Sequence, residues 1–171
     1  MVRSETEVEL RSWMDRLAIQ DLIHRYSDAV TRADWDQCRA AFAPDAVWES
    51  PGMGMRFESP DAFLAVLTDS SATDLLIQTA HAPVINLTGP DRAEATTTVH
   101  EMMRGAVVAD TTYGEKGAEV SFEQYGIYFD DIARIEEDWL FTHRVFVPIY
   151  VSPGSVVGDV PAPRSGLRRP E

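Results

Sequence analysis

The sequence predicts an α+β domain in which a cone-shaped, curved antiparallel sheet wraps around a long N-terminal helix. Three observations support this fold class. Residues 5–33 carry apolar side chains at helical spacing, two further short helices follow, and the part after residue 80 alternates with a period of two. Helices that precede closely connected strands favour one sheet with the helices on one face.

The first helix is predicted over residues 5–31. Ser4 and Glu7 have the spacing of a capping box, and no proline interrupts residues 5–33. An apolar stripe at helical spacing marks the side expected to face the core. Its members are Ile19, Leu22, Ile23, Tyr26 and Val30.

Two shorter helices and several strands complete the predicted domain. Asp34 is a candidate N-cap for a short helix that Pro44 ends, and Ser59-Pro60 is a cap for the next helix. The remaining elements are a strand over 46–50, a loop over 51–55, a helix over 60–69, and four strands over 84–87, 93–108, 120–135 and 139–151, with a turn over 110–118.

Residues 1–151 form the predicted domain, and residues 152–171 form a tail rich in proline and glycine. The tail has too few large apolar residues to pack as a domain of its own. Two alternatives remain for this tail. It is either a disordered terminus, or a segment that covers the pocket as a lid or reaches a neighbouring subunit. Apolar residues of the long strands exceed what one interior requires, which predicts a homodimer or homotrimer through the outer sheet face.

Composition restricts the partners. The net charge of −13, from 28 acidic and 15 basic residues, repels phosphate backbones and argues against nucleic-acid binding. No apolar run approaches the roughly 20 residues of a membrane helix, and the N-terminus lacks a signal-peptide core, so a cytoplasmic protein with no membrane partner is expected. One cysteine and four scattered histidines predict neither a disulfide nor a metal site, and no cofactor motif is present.

Histidines and a tyrosine are the candidates for chemistry in the pocket between helix and sheet. His81 lies before a strand among small residues, and it serves there either as a general base or as a structural histidine bonded to a carbonyl. Tyr26 lies on the buried stripe, where its hydroxyl needs a partner. His100 alternates with Glu101 along a strand, and periodicity does not tell which of the two faces inward.

The residues also resemble a known family. Segments 18–26, 33–36 and 42–48, then Thr79-Ala80-His81 with Asn86, and Trp139 with His143-Arg144, look like SnoaL-like domains of the nuclear transport factor 2 superfamily, over roughly residues 10–150. This resemblance implies the cone fold and a cofactor-free activity. Related enzymes include scytalone dehydratase, a dehydrochlorinase, a bile acid dehydratase, ketosteroid isomerase and polyketide cyclases, most of which move protons on small apolar substrates.

The resemblance also implies roles for individual residues. His81 matches the general base, Tyr26 and His100 fall where oxygen atoms are polarised or protonated, and Arg144 matches an arginine that assists a developing anion. The candidate substrate-binding residues are Thr31, Trp48, Met102 and Phe146.

One position departs from the pattern of the related enzymes. Their histidine pairs with an aspartate on the first helix, and that position holds Thr31 in this chain. Such an ion pair is worth on the order of 4 kcal/mol at an effective dielectric constant of 20, and threonine supplies no charge. Two hypotheses therefore stand: a cofactor-independent lyase or isomerase acting on a hydrophobic hydroxylated or cyclic carbonyl compound, or a non-catalytic protein that binds a small molecule or serves a partner enzyme.

Overall fold

The computed structural model of the protein describes residues 5–68, 73–106, 115, 117–154 and 156–159. The helices are α1 (Glu5–Arg32), α2 (Trp35–Ala40) and α3 (Pro60–Leu67), with one 3-10 turn at Pro51–Met53. The strands are β1 (Phe42–Ser50), β2 (Met55–Phe57), β3 (Thr73–Ala80), β4 (Val84–Gly89), β5 (Arg92–Ala106), β6 (Glu119–Ile135) and β7 (Asp138–Pro153). The predicted α+β class is confirmed.

Parts of some predicted elements lie outside the described residues. These are Ser4 of the capping box, the last residue of the 60–69 helix, positions 107–108 of the long strand, most of the 110–118 turn, and the tail at 155 and beyond 159.

The described strands form one curved sheet in the order β2-β1-β7-β6-β5-β3, and β4 pairs with the first part of β5. The pairs β5–β6 and β6–β7 are long antiparallel hairpins, as predicted. The pair β1–β7 is parallel, so the sheet is mixed rather than wholly antiparallel. Most of the chain separates these two strands, and a connection of that length permits the parallel direction that a tight hairpin forbids.

The buried stripe of α1 fills the inside of this sheet. Ile19, Ile23 and Tyr26 are each at most 1% exposed, which confirms the predicted core face. Asp34 caps α2 by accepting a hydrogen bond from the backbone N–H of Gln37 at 3.1 Å.

Four elements differ from the prediction near residues 40–80. The short helix ends at Ala40, and β1 already begins at Phe42, with Pro44 in an irregular part of the β1–β7 ladder. A proline is tolerated there because no ladder hydrogen bond is required of it. A short strand, β2, begins within the segment predicted to be a loop, and β3 is an additional strand that the apolar pattern did not indicate.

A bulge in β7 determines which of its side chains face the core. Ile132 pairs with Phe141 and Asp131 pairs with His143, so Thr142 is an extra residue. Strict alternation would place Phe141 and Arg144 on opposite faces. The extra residue brings both of them inside, where each is fully buried.

Strand β7 takes in the first two residues of the predicted tail, and the described residues after it lie against the outer face of the sheet. The Ser121 hydroxyl donates to the carbonyl of Val156 at 3.0 Å and accepts from its N–H at 3.2 Å. Arg104 donates to the carbonyl of Gly158 at 2.7 Å. Ser121 and Arg104 are paired neighbours on β6 and β5, so this segment crosses the two strands from outside. No described helix is long and apolar enough to span a membrane.

Candidate functional site

A cavity of about 120 Å³ lies between α1, α3 and the inner face of the sheet. An apolar cavity of about 150 Å³ holds one benzene ring, so this volume is of the order of a single ring. Its walls are mostly aromatic and aliphatic, and Trp48 stacks on Phe63 with ring centroids 4.8 Å apart. Polar side chains enter it from α1, β3, β5 and β6: Tyr26, Thr73, Gln78, Glu101, Gln124 and Tyr128.

Three of these polar side chains form a band across neighbouring strands. Gln78 of β3 pairs with Glu101 of β5, and Glu101 pairs with Gln124 of β6. Gln124 Nε2 donates to Glu101 Oε2 at 2.6 Å, and the Gln78 side chain also hydrogen-bonds the carboxyl. A carboxyl group is thus held between two neutral amides in an apolar cavity.

The environment changes the acidity of Glu101. Burial raises the pKa of this carboxyl, and the hydrogen bonds from Gln124 and Gln78 lower it to a smaller extent. Amide donors stabilise the carboxylate, whereas the apolar walls favour the neutral acid. Because its pKa is raised, the carboxylate of Glu101 is a stronger base than that of an exposed glutamate, and it can accept a proton and return it.

Two tyrosines, Tyr26 and Tyr128, also line the cavity. Tyr26 and Tyr128 hydrogen-bond each other, and Gln78 Nε2 lies 3.5 Å from the Tyr128 hydroxyl. Burial raises the pKa of Tyr26 well above its usual value and that of Tyr128 to about 12. Both phenols are therefore neutral hydrogen-bond donors at physiological pH.

A buried ion pair supports the tyrosines from behind. Arg144 Nε lies 3.0 Å from Asp130 Oδ1, and both side chains are at most 1% exposed. The guanidinium carbon lies 4.1 Å from the ring centroid of Tyr26 and 3.8 Å from that of Tyr128. Burial raises the pKa of Asp130 to about 6 although Arg144 opposes the shift. Arg144 is outside the cavity lining, so it acts on the cavity through the phenols.

Several predicted site residues do line the cavity. Tyr26, Trp48 and Phe146 belong to its wall. The ring of Phe146 occupies the space above Gly126, where an added Cβ would meet Phe146 Cε2 at 2.2 Å. Glycine at this position therefore allows the ring to lie against the sheet.

The structure does not place His81 in the cavity, in contrast to the expectation from its position before a strand. His81 is exposed in the connection between β3 and β4, where its backbone N–H donates to the carbonyl of Thr98 at 2.9 Å. The inward-facing positions of β3 are Leu76 and Gln78, and the strand ends at Ala80. The imidazole therefore follows the strand instead of projecting from its inner face.

His100 and Met102 lie on the outer face of β5, which corrects their assignment to the pocket. The His100 ring stacks on Tyr125 at 4.5 Å, and its Nε2 lies 2.7 Å from Glu123. Because strand side chains alternate, Glu101 and Met103 take the inner face instead and line the cavity.

Thr31 lies beside the cavity and contacts Gln78. Its hydroxyl accepts from the backbone N–H of Gln78 at 3.0 Å and donates to the backbone carbonyl of Gln78 at 3.1 Å. The residue of β3 that faces helix position 31 is therefore Gln78, not His81. The resemblance implies that helix position 31 is an aspartate paired with the histidine, whereas in this structure position 31 is a threonine that contacts Gln78.

Sequence reasoning missed the polar band and Tyr128. Glu101 was recognised only as the alternate of His100, and Gln78 lies on the strand that was not predicted. Gln124 and Tyr128 share a period-two face of β6, a signal that identifies a common face without telling whether it is inside. Within the described residues, no three His, Cys, Asp or Glu side chains cluster as metal ligands.

The fold is thus a long helix packed against a curved sheet, with an apolar cavity between them. A profile of the SnoaL-like domain matches residues 11–145, and the chain belongs to this family. A search of curated proteins found no match to the chain.

Solved structures share the fold at low sequence identity. A type 2 hexachlorocyclohexane dehydrochlorinase (LinA) superposes with a TM-score of 0.72 at 17% identity, over 90% of this chain and 97% of the other. A candidate scytalone dehydratase from Novosphingobium aromaticivorans gives 0.69 at 15% identity, over 92% and 97%. A LinA-type3 dehydrochlorinase from Novosphingobium barchaimii gives 0.70 at 18%, over 90% and 99%.

Proposed function

We propose that the protein is a cofactor-free lyase or isomerase that transfers a proton on a small, uncharged ring compound, with Glu101 as the acid–base group. The observation that carries this proposal is the carboxyl of Glu101, held by Gln78 and Gln124 inside an apolar cavity. The family and the dehydrochlorinase and dehydratase folds support the general class of reaction.

The reaction follows from the positions of the polar groups. A substrate carbonyl accepts a hydrogen bond from the Tyr128 hydroxyl, while the Glu101 carboxylate removes a proton from the carbon next to that carbonyl. The electron pair of the C–H bond moves onto the oxygen, which Tyr128 stabilises as an enolate with support from Tyr26 and Arg144. Protonated Glu101 then returns the proton to another carbon, or to a departing hydroxyl that leaves as water.

The chemistry of the cavity lining limits the substrate to an uncharged molecule. Among the described residues that line the cavity there is no Lys, Arg or His, and Arg144 is already paired with Asp130 behind the wall. An anionic substrate would lose its hydration without gaining a partner charge. Trp48, Phe63 and Met103 favour an apolar ring.

A single-ring probe tests this proposal. With 3-cyclohexen-1-one in D₂O, NMR follows proton exchange next to the carbonyl and ultraviolet absorbance follows conversion to the conjugated ketone. Glu101→Gln is expected to lower both rates by about 10² to 10⁴-fold, the usual contribution of a general acid–base group. His81→Ala is the matched control and is expected to keep the rate, because His81 is exposed outside the cavity. Full activity of Glu101→Gln would overturn the proposal.

The second candidate is a protein that binds a small molecule without turnover. The observation that favours it is Thr31, which contacts Gln78 and supplies no charge where the resemblance implies an aspartate. Quenching of tryptophan fluorescence by the same probe that is lost in Trp48→Phe, with no proton exchange above the buffer rate at any pH, would support binding alone.

We also propose that the protein forms a homodimer or homotrimer through the outer sheet face, in the cytoplasm. Phe129, Ile149 and Tyr150 are 47%, 57% and 56% exposed on β6 and β7. The single, buried Cys38 is compatible with a reducing compartment. Light scattering at micromolar concentration tests the assembly, and a monomeric mass would contradict it.

A further inference from the structure

Two hydroxyl groups on α1 hold Gln78 of β3 at three points. Ser27 and Thr31 are one turn apart and lie on the same face of the helix. Thr31 bonds both backbone groups of Gln78, at 3.0 and 3.1 Å. The Ser27 hydroxyl donates to Oε1 of the Gln78 side chain at 3.1 Å, and Ser27 is only 5% exposed.

The backbone contacts explain why Gln78 and Glu101 lie so close together. Because Thr31 takes the N–H and the carbonyl of Gln78, these groups point away from β5. Gln78 and Glu101 are therefore a non-hydrogen-bonded pair of the antiparallel ladder. Side chains of such pairs are closer than those of hydrogen-bonded pairs, with Cα atoms about 4.5 Å apart instead of about 5.5 Å.

The side-chain contact decides the orientation of the amide. With Oε1 occupied by the Ser27 hydroxyl, the two N–H groups of Gln78 point towards Tyr128 and Glu101. If the amide were reversed, its oxygen would face the carboxylate of Glu101 and a donor would be replaced by a repulsive contact. Ser27 is not part of the cavity lining, so any influence on the carboxyl passes through Gln78.

We propose that Ser27 is a positioning residue, which fixes the amide of Gln78 so that it donates to both the carboxyl and the phenol of the site. The inference rests on the proposed role of Glu101. Ser27 does not line the cavity; through Gln78, it stabilises the carboxylate form of Glu101, the form that accepts a proton.

Other titratable groups near Glu101 are the same in the wild type and in the variants. Tyr26 faces it from α1, Tyr128 from β6, and His100 lies next to it on β5 with its ring on the opposite face. Arg144 and Asp130 form their ion pair behind the phenols. None of them contacts the Ser27 hydroxyl, whose hydrogen bond goes to Gln78.

The experiment measures the titration of Glu101 directly, by ¹³C NMR of the labelled side-chain carboxyl, assigned with Glu101→Gln. Ser27→Ala removes the hydroxyl and is expected to raise the titration midpoint by about half to one pH unit, the equivalent of one neutral hydrogen bond. Ser27→Thr keeps a hydroxyl and is expected to restore the original midpoint. Thr142→Val, which removes a hydroxyl bonded to a backbone carbonyl on the outer face, is the matched control and should leave it unchanged.

A midpoint in Ser27→Ala equal to that of the wild type would overturn the proposal, as would an equal shift in Thr142→Val. Should Ser27→Ala not fold, Gln78→Met removes the amide at similar volume, and the same upward shift is expected; an unmoved midpoint again refutes the inference. The NMR midpoint does not require turnover. If the wild type does not exchange the protons of 3-cyclohexen-1-one faster than buffer alone, the proposed function fails. The titration still decides whether Ser27 positions the amide that donates to Glu101.

Discussion

Substitution of Gly126 tests how closely the ring of Phe146, which lines the cavity, packs against strand β6. An alanine Cβ at this position would lie 2.2 and 2.4 Å from two ring carbons of Phe146 and 3.1 Å from the carbonyl oxygen of Val147. Contacts below 3.0 Å do not occur between real atoms of this kind, so the ring has to move. Phe146 is 3% exposed and lines the cavity, and its displacement pushes the ring into the ligand space.

The magnitude follows from two opposing effects. Overpacking a buried site costs typically about 1–3 kcal/mol. Replacing glycine by alanine in an accessible conformation restricts the unfolded chain and returns about 0.4–1 kcal/mol. Gly126→Ala is therefore expected to destabilise the protein by about 1–2 kcal/mol and to weaken binding of a single-ring ligand.

Urea denaturation followed by Trp fluorescence measures the stability, and quenching by 3-cyclohexen-1-one measures the binding. Gly52→Ala is the matched control, because its Cβ would meet only Pro148 at an ordinary distance of 3.8 Å. Its stability is expected to change by less than about 0.5 kcal/mol. The double variant Gly126→Ala/Phe146→Leu should recover part of the loss. An unchanged denaturation midpoint for Gly126→Ala would refute the packing described for Phe146.

Three further predictions concern charge and backbone. Burial raises the pKa of Glu101, so the folded wild type loses stability as the pH rises through that pKa. The stability of Glu101→Gln minus that of the wild type is therefore expected to increase from pH 4 to pH 8. A difference in urea midpoints that does not change with pH would contradict this. Arg144→Met leaves Asp130 without its partner and is expected to cost about 3–5 kcal/mol at neutral pH, with much of it recovered in the double variant with Asp130→Leu; equal losses in both variants would argue against the ion pair. Ala33 has a left-handed φ of 53° after α1, so Ala33→Gly should raise stability by about 0.5–1 kcal/mol, measured as the melting temperature, and a decrease would contradict the strain.

Local patterns predicted the helices and the long hairpins well, for a physical reason. The stripe Ile19–Tyr26 and the caps Asp34 and Ser59 are decided by side chains within one or two turns of each other. The long strands β5, β6 and β7 are joined by connections within the chain and carry a clear period of two. Such signals need no knowledge of distant contacts.

The candidate site was harder to predict because its residues come from four elements. The choice between His100 and Glu101 is a choice between two faces of β5, and only the packing of α1 against the sheet decides it. The inward position of Arg144 depends on the bulge at Thr142. Gln78 interrupts the apolar pattern of β3, so the strand that carries it gave no signal.

By itself, the sequence determined a helix followed by a curved sheet, the buried stripe of that helix with Tyr26, and a family resemblance that places the helix partner at Thr31. These follow from periodicity and short-range order. Tertiary structure decided that Gln78 faces Thr31, that His81 lies outside the cavity and that the acidic group within it is Glu101. The reason is that strand register and sheet face are properties of the assembled sheet, and a shift of one residue exchanges every inner side chain for an outer one.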